Sequence, residues 1–153
     1  MTNNEFIRNW FQEVWNNKNE NAIDELMHPE VIAHGLFDEN GNELCGPESF
    51  KSFFRNFIAS FPTMYVEVIN TVSEGDNVVA LCHVTMNHSG ADFKLSDGNY
   101  VKANGQQISF TGTSWSKIVD GKLIEGWNNF DFLTMYLQLN AIKFIEHGKS
   151  SAA

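Results

Sequence analysis

Basic charge is scarce in this sequence: ten Lys and Arg stand against nineteen Asp and Glu, a formal net charge of −9. No two basic residues are adjacent. That argues against a nucleic-acid partner, whose phosphates need clustered Lys and Arg, and against an anionic membrane surface. Cysteine is nearly absent too. Cys45 and Cys82 lie far apart with no Cys-x-x-Cys, which predicts two reduced thiols and a cytoplasmic protein. No apolar run approaches the ~20 residues of a membrane span. Met1-Thr2-Asn3-Asn4-Glu5 has neither the basic nor the apolar region of a secretory signal. Also missing are His-x-His and His-x-x-x-His pairs, a Gly-rich phosphate loop and a Gly-x-Ser-x-Gly elbow. No metal, no cofactor and no serine nucleophile is therefore implied.

What the chain has in excess is aromatic rings: 13 Phe, 4 Trp and 3 Tyr among 153 residues. So many large rings must fill a core, cover an interface or line a cavity. The length suits one domain, with about two-thirds of the unfolded surface buried on folding. We expect that domain over 1–147, with a flexible tail from 148 to 153.

Thr2-x-x-Glu5 is a capping box. Phe6, Ile7, Trp10, Phe11, Val14 and Trp15 follow at helical spacing. Asn16 to Asn19 breaks that helix, and Ala22 to Met27 predicts a second, short one that His28-Pro29 ends. A loop is expected from Ala33 to Cys45. Gly46-Pro47 opens a third helix, striped by Phe50, Phe53, Phe54, Phe57, Ile58 and Phe61 and stopped by Pro62. The period then changes to two. Strands are expected over Tyr65–Val72, Val78–Asn87, Ile108–Val119 and Lys122–Phe130. Ser89 to Gly105 has turn signals and room for a short hairpin. Phe132 to His147 reads as a closing helix with little polar face, which needs cover on two sides. That suggests a homodimer interface or a helix sandwiched within the monomer. Helices followed by antiparallel strands give an α+β fold: a curved antiparallel sheet wrapped around N-terminal helices as a cone with an apolar cavity.

Alternation along the last strand puts Leu123, Glu125, Trp127, Asn129 and Asp131 on one face if no bulge intervenes. A carboxylate beside a Trp in a dry pocket has its pKa raised and can move protons near neutral pH. From position alone, capping of the closing helix is the commoner use of Asp131. Among the histidines, His147 is expected in solvent and His28 in a structural turn. His34 begins the loop near the expected mouth. His83 and His88 have opposite parity, so at most one faces the pocket without a bulge. For each histidine, a satisfied or exposed ring is the commoner outcome.

Several segments together resemble the SnoaL-like polyketide cyclase family of the NTF2-like superfamily. They are Trp15-Asn16-Asn17-Lys18 to His28-Pro29-Glu30, Gly46-Pro47-Glu48-Ser49-Phe50 to Phe61-Pro62, Glu74 to Val79, and His88-Ser89-Gly90. The strongest is Asp120-Gly121-Lys122-Leu123-Ile124-Glu125-Gly126-Trp127, followed by Asp131 and Gln138-Leu139. The resemblance implies a cone-shaped, usually dimeric protein that closes a ring by intramolecular aldol condensation without metal or cofactor. It implies Asp131 as general acid/base and His88 in the same pocket, bonding the developing enolate or positioning the substrate. It further implies Trp15 and Trp127 as cavity lining, with Trp115 as a further candidate; His34 is a substrate-binding candidate from its place near the expected mouth. The chain departs from the family pattern at Ala103-Asn104-Gly105, at Lys117 before the Asp-Gly turn, and at Gln138-Leu139-Asn140, where a Gly is usual.

Three functions fit these features. One is an enzyme of proton-transfer chemistry (cyclase, isomerase, dehydratase or hydrolase) on a small apolar carbonyl compound. Another is a module that binds a small apolar molecule without turning it over. The third is a dimeric structural or partner-binding protein.

Overall fold

The computed structural model describes residues 1–148. Apart from Gly148, the expected tail lies outside the described residues. Helix α1 (Asn3–Trp10) starts on the expected capping box: Thr2 Oγ1 accepts from Glu5 N at 3.2 Å, and Glu5 Oε2 accepts from Thr2 N at 2.7 Å. The helix runs on into a π-helical segment, Phe11–Asn16, which carries Trp15 into the core. Lys18, at φ 55°, ends it. Helix α2 (Asn21–Leu26) and helix α3 (Gly46–Ser60) complete the layer, and Phe50, Phe54 and Phe57 are buried from α3.

One six-stranded sheet lies against these helices, in the order β2-β1-β8-β7-β4-β3. Its strands are β1 (Met27–Phe37), β2 (Glu43–Cys45), β3 (Tyr65–Glu74), β4 (Asn77–Asn87), β7 (Gln107–Val119) and β8 (Lys122–Phe130). All pairs are antiparallel except β1 with β8, which is parallel. The Ser89 to Gly105 stretch holds the short hairpin β5 (Phe93–Lys94) and β6 (Tyr100–Val101). Asn16 ties the helical layer to the sheet: its amide donates to Val66 O at 2.9 Å and accepts from Val66 N at 2.7 Å. The sheet curves over α1, the π-helical segment and α3, and the buried side chains form one cluster between them.

Two elements differ from expectation. Strand β1 occupies much of what the sequence reads as helix end and loop. Pro29 hides it, yet Pro29 falls in the irregular part of the ladder between Met27 and Ile32, where no strand hydrogen bond is required of it. The closing helix, α4 (Phe132–Gln138), is half the expected length. Asn140 takes φ 55°, Ala141 N bonds Tyr136 O at 2.9 Å, and Asn140 N bonds Leu137 O at 3.1 Å. That is a Schellman stop, and Asn is the residue after Gly that best tolerates a left-handed backbone. The departure Gln138-Leu139-Asn140 therefore keeps the function of the usual Gly. Both cysteines are free thiols: Cys45 is exposed, and Cys82 is buried, which pushes its pKa up to about 12. Among the described residues, no helix is long and apolar enough to cross a membrane.

Candidate functional site

The cone encloses a cavity of about 70 Å³. Its walls are mostly rings and aliphatic side chains: Trp10 and Trp15 from the first helical layer, Phe50, Phe53 and Phe57 from α3, and Phe110, Phe130 and Phe132 near the last strand. Trp15 is held by edge-on and tilted contacts with Phe50, Phe53, Phe54 and Phe57, at centroid distances of 5.3–6.4 Å. The space is narrow for a small-molecule site, which commonly spans ~300–1,000 Å³. A compact ligand fits as the walls stand, and a larger one must displace rings.

The only polar side chains on this wall, among the described residues, are Ser114, Ser116 and Asn128. Ser114 and Ser116 alternate on β7 and are 4% and 2% exposed; their hydroxyls lie 3.4 Å apart. Asn128 sits directly across the ladder from Ser114. Its Nδ2 donates to the His34 carbonyl at 3.0 Å. Because that partner is an acceptor, the amide orientation is settled and Oδ1 is the end left without a protein partner among the described residues. The sequence reading missed all three residues. For Asn128 the cause is the facing of β8; for Ser114 and Ser116 the regular alternation of β7 carries the signal.

A bulge makes the difference. Lys117 pairs with Glu125 but Ile118 pairs with Leu123, so Ile124 is an extra residue in β8. Leu123 is buried below the bulge; above it the inward residues are Gly126, Asn128 and Phe130. Glu125 and Trp127 therefore turn outward, and the expectation that Trp127 lines the cavity is corrected. Trp115, its cross-strand partner, is outward as well: it is 49% exposed, meets Trp127 edge-on at 6.4 Å and donates from Nε1 to Asn77 Oδ1 at 3.2 Å. His34 is also on this outer surface, stacked on Trp127 at 5.3 Å. Its Nδ1 is 3.0 Å from Glu43 Oε1 and its Nε2 is 2.8 Å from Glu125 Oε1. Two carboxylates on the two ring nitrogens favour the imidazolium, and the pKa is raised, first by Glu125 and then by Glu43. Glu43 in turn is held below its ordinary value by His34 and by the Gly35 amide, at 3.0 Å.

Asp131 is the N-cap of α4. Its Oδ1 accepts from Thr134 N at 3.0 Å and its Oδ2 from the Thr134 hydroxyl at 2.6 Å. The side chain is exposed, and the two bonds hold its pKa below the ordinary carboxylate value rather than above it. The expected raised pKa in an apolar pocket is thus corrected by geometry: the side chain is exposed and off the cavity wall, although its sequence neighbours Phe130 and Phe132 line it. His88 is buried at the base of the β5–β6 excursion, packed on Phe61 at 5.1 Å with Nε2 donating to Ala91 O at 3.0 Å. It is not part of the cavity wall. Of the six residues singled out from sequence, Trp15 alone is on that wall. Two other histidines have partners of their own: His28 Nδ1 accepts from Glu30 N at 3.1 Å, and His83 Nε2 lies 2.7 Å from Ser109 Oγ on the neighbouring strand; His147 is exposed. Among the described residues, no three or more His, Cys, Asp or Glu converge as metal ligands.

Comparison with known proteins agrees with this architecture. No curated protein matches the chain. Among solved structures, a candidate SnoaL-like polyketide cyclase from Jannaschia sp. CCS1 is 25% identical, with a TM-score of 0.74 over 91% of this chain and 92% of that one. IdmH from Streptomyces antibioticus, a candidate polyketide cyclase, is 24% identical, with a TM-score of 0.72 over 89% and 96%. AclR from Streptomyces galilaeus, a candidate hydroxylase, is 22% identical, with a TM-score of 0.69 over 85% and 90%. The last two carry the fold alone. The model of the SnoaL-like polyketide cyclase family matches residues 5–139, and the chain belongs to that family.

Proposed function

We propose that this chain receives a small, neutral, largely apolar molecule in its cone. The observation that carries this is the cavity wall: aromatic and aliphatic nearly throughout, with three neutral polar side chains and no charged one. Such a wall rewards apolar surface and penalises an ion that arrives without a counter-charge. The test is to identify small molecules that co-purify with the protein. Recovery of charged, polar metabolites alone, displaced without loss by Trp15→Ala, would contradict the reading.

A second reading adds chemistry on the bound molecule; family membership favours it, as does the place of Asp131 in the chain between two cavity-lining rings. In this reading the Asp131 carboxylate takes the proton α to a carbonyl. The resulting enolate carbon attacks a second carbonyl of the same molecule, and Asp131 returns the proton to the new alkoxide. The carboxylate must first leave Thr134, and its low pKa makes it a weak base as it stands. Turnover of candidate dicarbonyl compounds is the measurement. Asp131→Asn keeps the cap and removes the base, so it should abolish turnover and spare binding. Equal turnover by both proteins would leave the binding function alone. A homodimer and a cytoplasmic setting belong to the same proposal; sedimentation of a monomer at working concentration would remove the dimer.

A further inference from the structure

The cavity wall is not uniformly apolar, and its exceptions are gathered at one place. Ser114 and Ser116 come from β7 two residues apart, and Asn128 faces Ser114 across the ladder. Both serines are more than nine-tenths buried, so no open solvent satisfies their hydroxyls. They share at most one hydrogen bond between them, at 3.4 Å, which leaves one hydroxyl proton and several lone pairs unspent. Asn128 spends Nδ2 on His34 O, which fixes its amide, and Oδ1 has no protein partner among the described residues. Buried polar groups in an apolar wall cost stability unless something pairs with them. Two such buried hydroxyls, with the half-buried Asn128 amide facing one of them across the ladder beside the cavity, are complementary to a ligand atom that both donates and accepts.

We propose that Ser114, Ser116 and Asn128 form the subsite that reads a single neutral oxygen, a hydroxyl or an enolisable carbonyl, on the molecule the cone receives. The inference rests on the cavity reading above and sharpens it to a ligand class: a compact ring or chain with one uncharged oxygen at the end that reaches β7 and β8. The oxygen accepts from a serine hydroxyl, and a hydroxyl or enol proton goes to Asn128 Oδ1 or to the second serine. A carboxylate in that position meets Asn128 Oδ1 lone pairs and no cation, so it is disfavoured. Gly112 shapes the approach. A Cβ at Gly112 would meet the Phe130 ring at 2.4 Å, so the bare backbone lets that ring lie over β7 beside the subsite.

Phenol, toluene and benzoate test this as size-matched probes, titrated by ligand-observed NMR. The comparison is between the wild-type protein and Ser114→Ala/Ser116→Ala, with Asn128→Leu as a second variant. The double serine variant should weaken phenol roughly five- to tenfold and leave toluene unchanged or slightly tighter, the range expected for losing neutral hydrogen bonds. Toluene binding doubles as the check that the cavity is intact in each variant. Asn128→Leu should act in the same direction, and benzoate should bind more weakly than phenol throughout. An unchanged phenol-to-toluene ratio in both variants, with toluene still bound, would overturn the subsite and leave the cavity reading standing. Benzoate binding more tightly than phenol would also overturn it. A wild-type protein that binds none of the three would overturn both.

Discussion

Strands β7 and β8 present two faces, and neighbouring residues on them live in opposite conditions. Inward stand Ser114, Ser116, Gly126 and Asn128, against a wall of rings and with no titratable group. Outward stand Trp115, Glu125 and Trp127, with His34 bonded between two carboxylates. The two tryptophans and the charge are outside; the small polar groups are inside, with Phe110 and Phe130 beside them. The usual expectation would be the reverse, and the reason is space. The first helices and α3 already crowd the cone with Trp10, Trp15 and several Phe, and besides Phe110 and Phe130 the two strands offer the small side chains Ser114, Ser116, Gly126 and Asn128, which leaves volume open. Their own tryptophans are then left to cover each other on the outer surface.

The sharpest way to break this comparison is to truncate one tryptophan from each face. Trp15, 7% exposed and ringed by four Phe, should cost about 3–5 kcal/mol when changed to Ala. Trp127, 36% exposed, should cost about 1 kcal/mol or less. Urea unfolding measures both, and equal losses would refute the assignment of faces. Because the cavity lining has no titratable group, the Trp15→Ala loss should also be flat across neutral pH.

Gly35 joins the two faces and ranks next. It holds φ at +80°, and a Cβ there would meet the Asn128 carbonyl oxygen at 2.3 Å. Gly35→Ala should lose about 3 kcal/mol by the same unfolding assay, through left-handed strain and a backbone clash. It should also shift NMR resonances of both Asn128 within and His34 without.

Smaller and pH-dependent is His34→Gln. The folded pKa of His34 is raised above 6.5, so the proton is bound more tightly in the native state. The stability this contributes is fully present below about pH 6.5 and is lost as the pH rises through the raised native value. The difference between wild type and His34→Gln should follow that curve in thermal unfolding. A difference that grows with pH would contradict the imidazolium assignment.

Asp131 gives the smallest effect. Its lowered pKa means that its stabilising contribution is present above the ordinary value of 3.8 and is lost as the pH falls through the lower native one. Asp131→Ala should lower the melting temperature slightly at neutral pH, Asp131→Asn hardly at all, and the Ala difference should vanish in strong acid.

Much of the fold is legible in the sequence because its signals are local. Thr2 and Glu5 start α1 by bonding each other; Pro47 seats the first turn of α3; Asp120-Gly121 turns β7 into β8. Strand β1 was not legible, since Pro29 reads as a breaker and a parallel partner ninety residues away is invisible locally. The N-cap use of Asp131 could be read from position, whereas the inward place of Asn128 could not, because one bulged residue, Ile124, reverses the parity on which the face assignment of β8 depends.

The sequence by itself determined the starts of α1 and α3, the positions of β3, β4, β7 and β8, the aromatic filling and the family. Each of these depends on residues within a few positions of one another, or on a pattern of residues along the whole chain. Only the tertiary structure decided which face of β8 meets the cavity, and that Asn128 rather than Asp131 stands inside it. The physical reason is that a strand's facing has a period of two, so a single extra residue inverts it, and the pairing of β8 with both β7 and β1 sets where that residue falls.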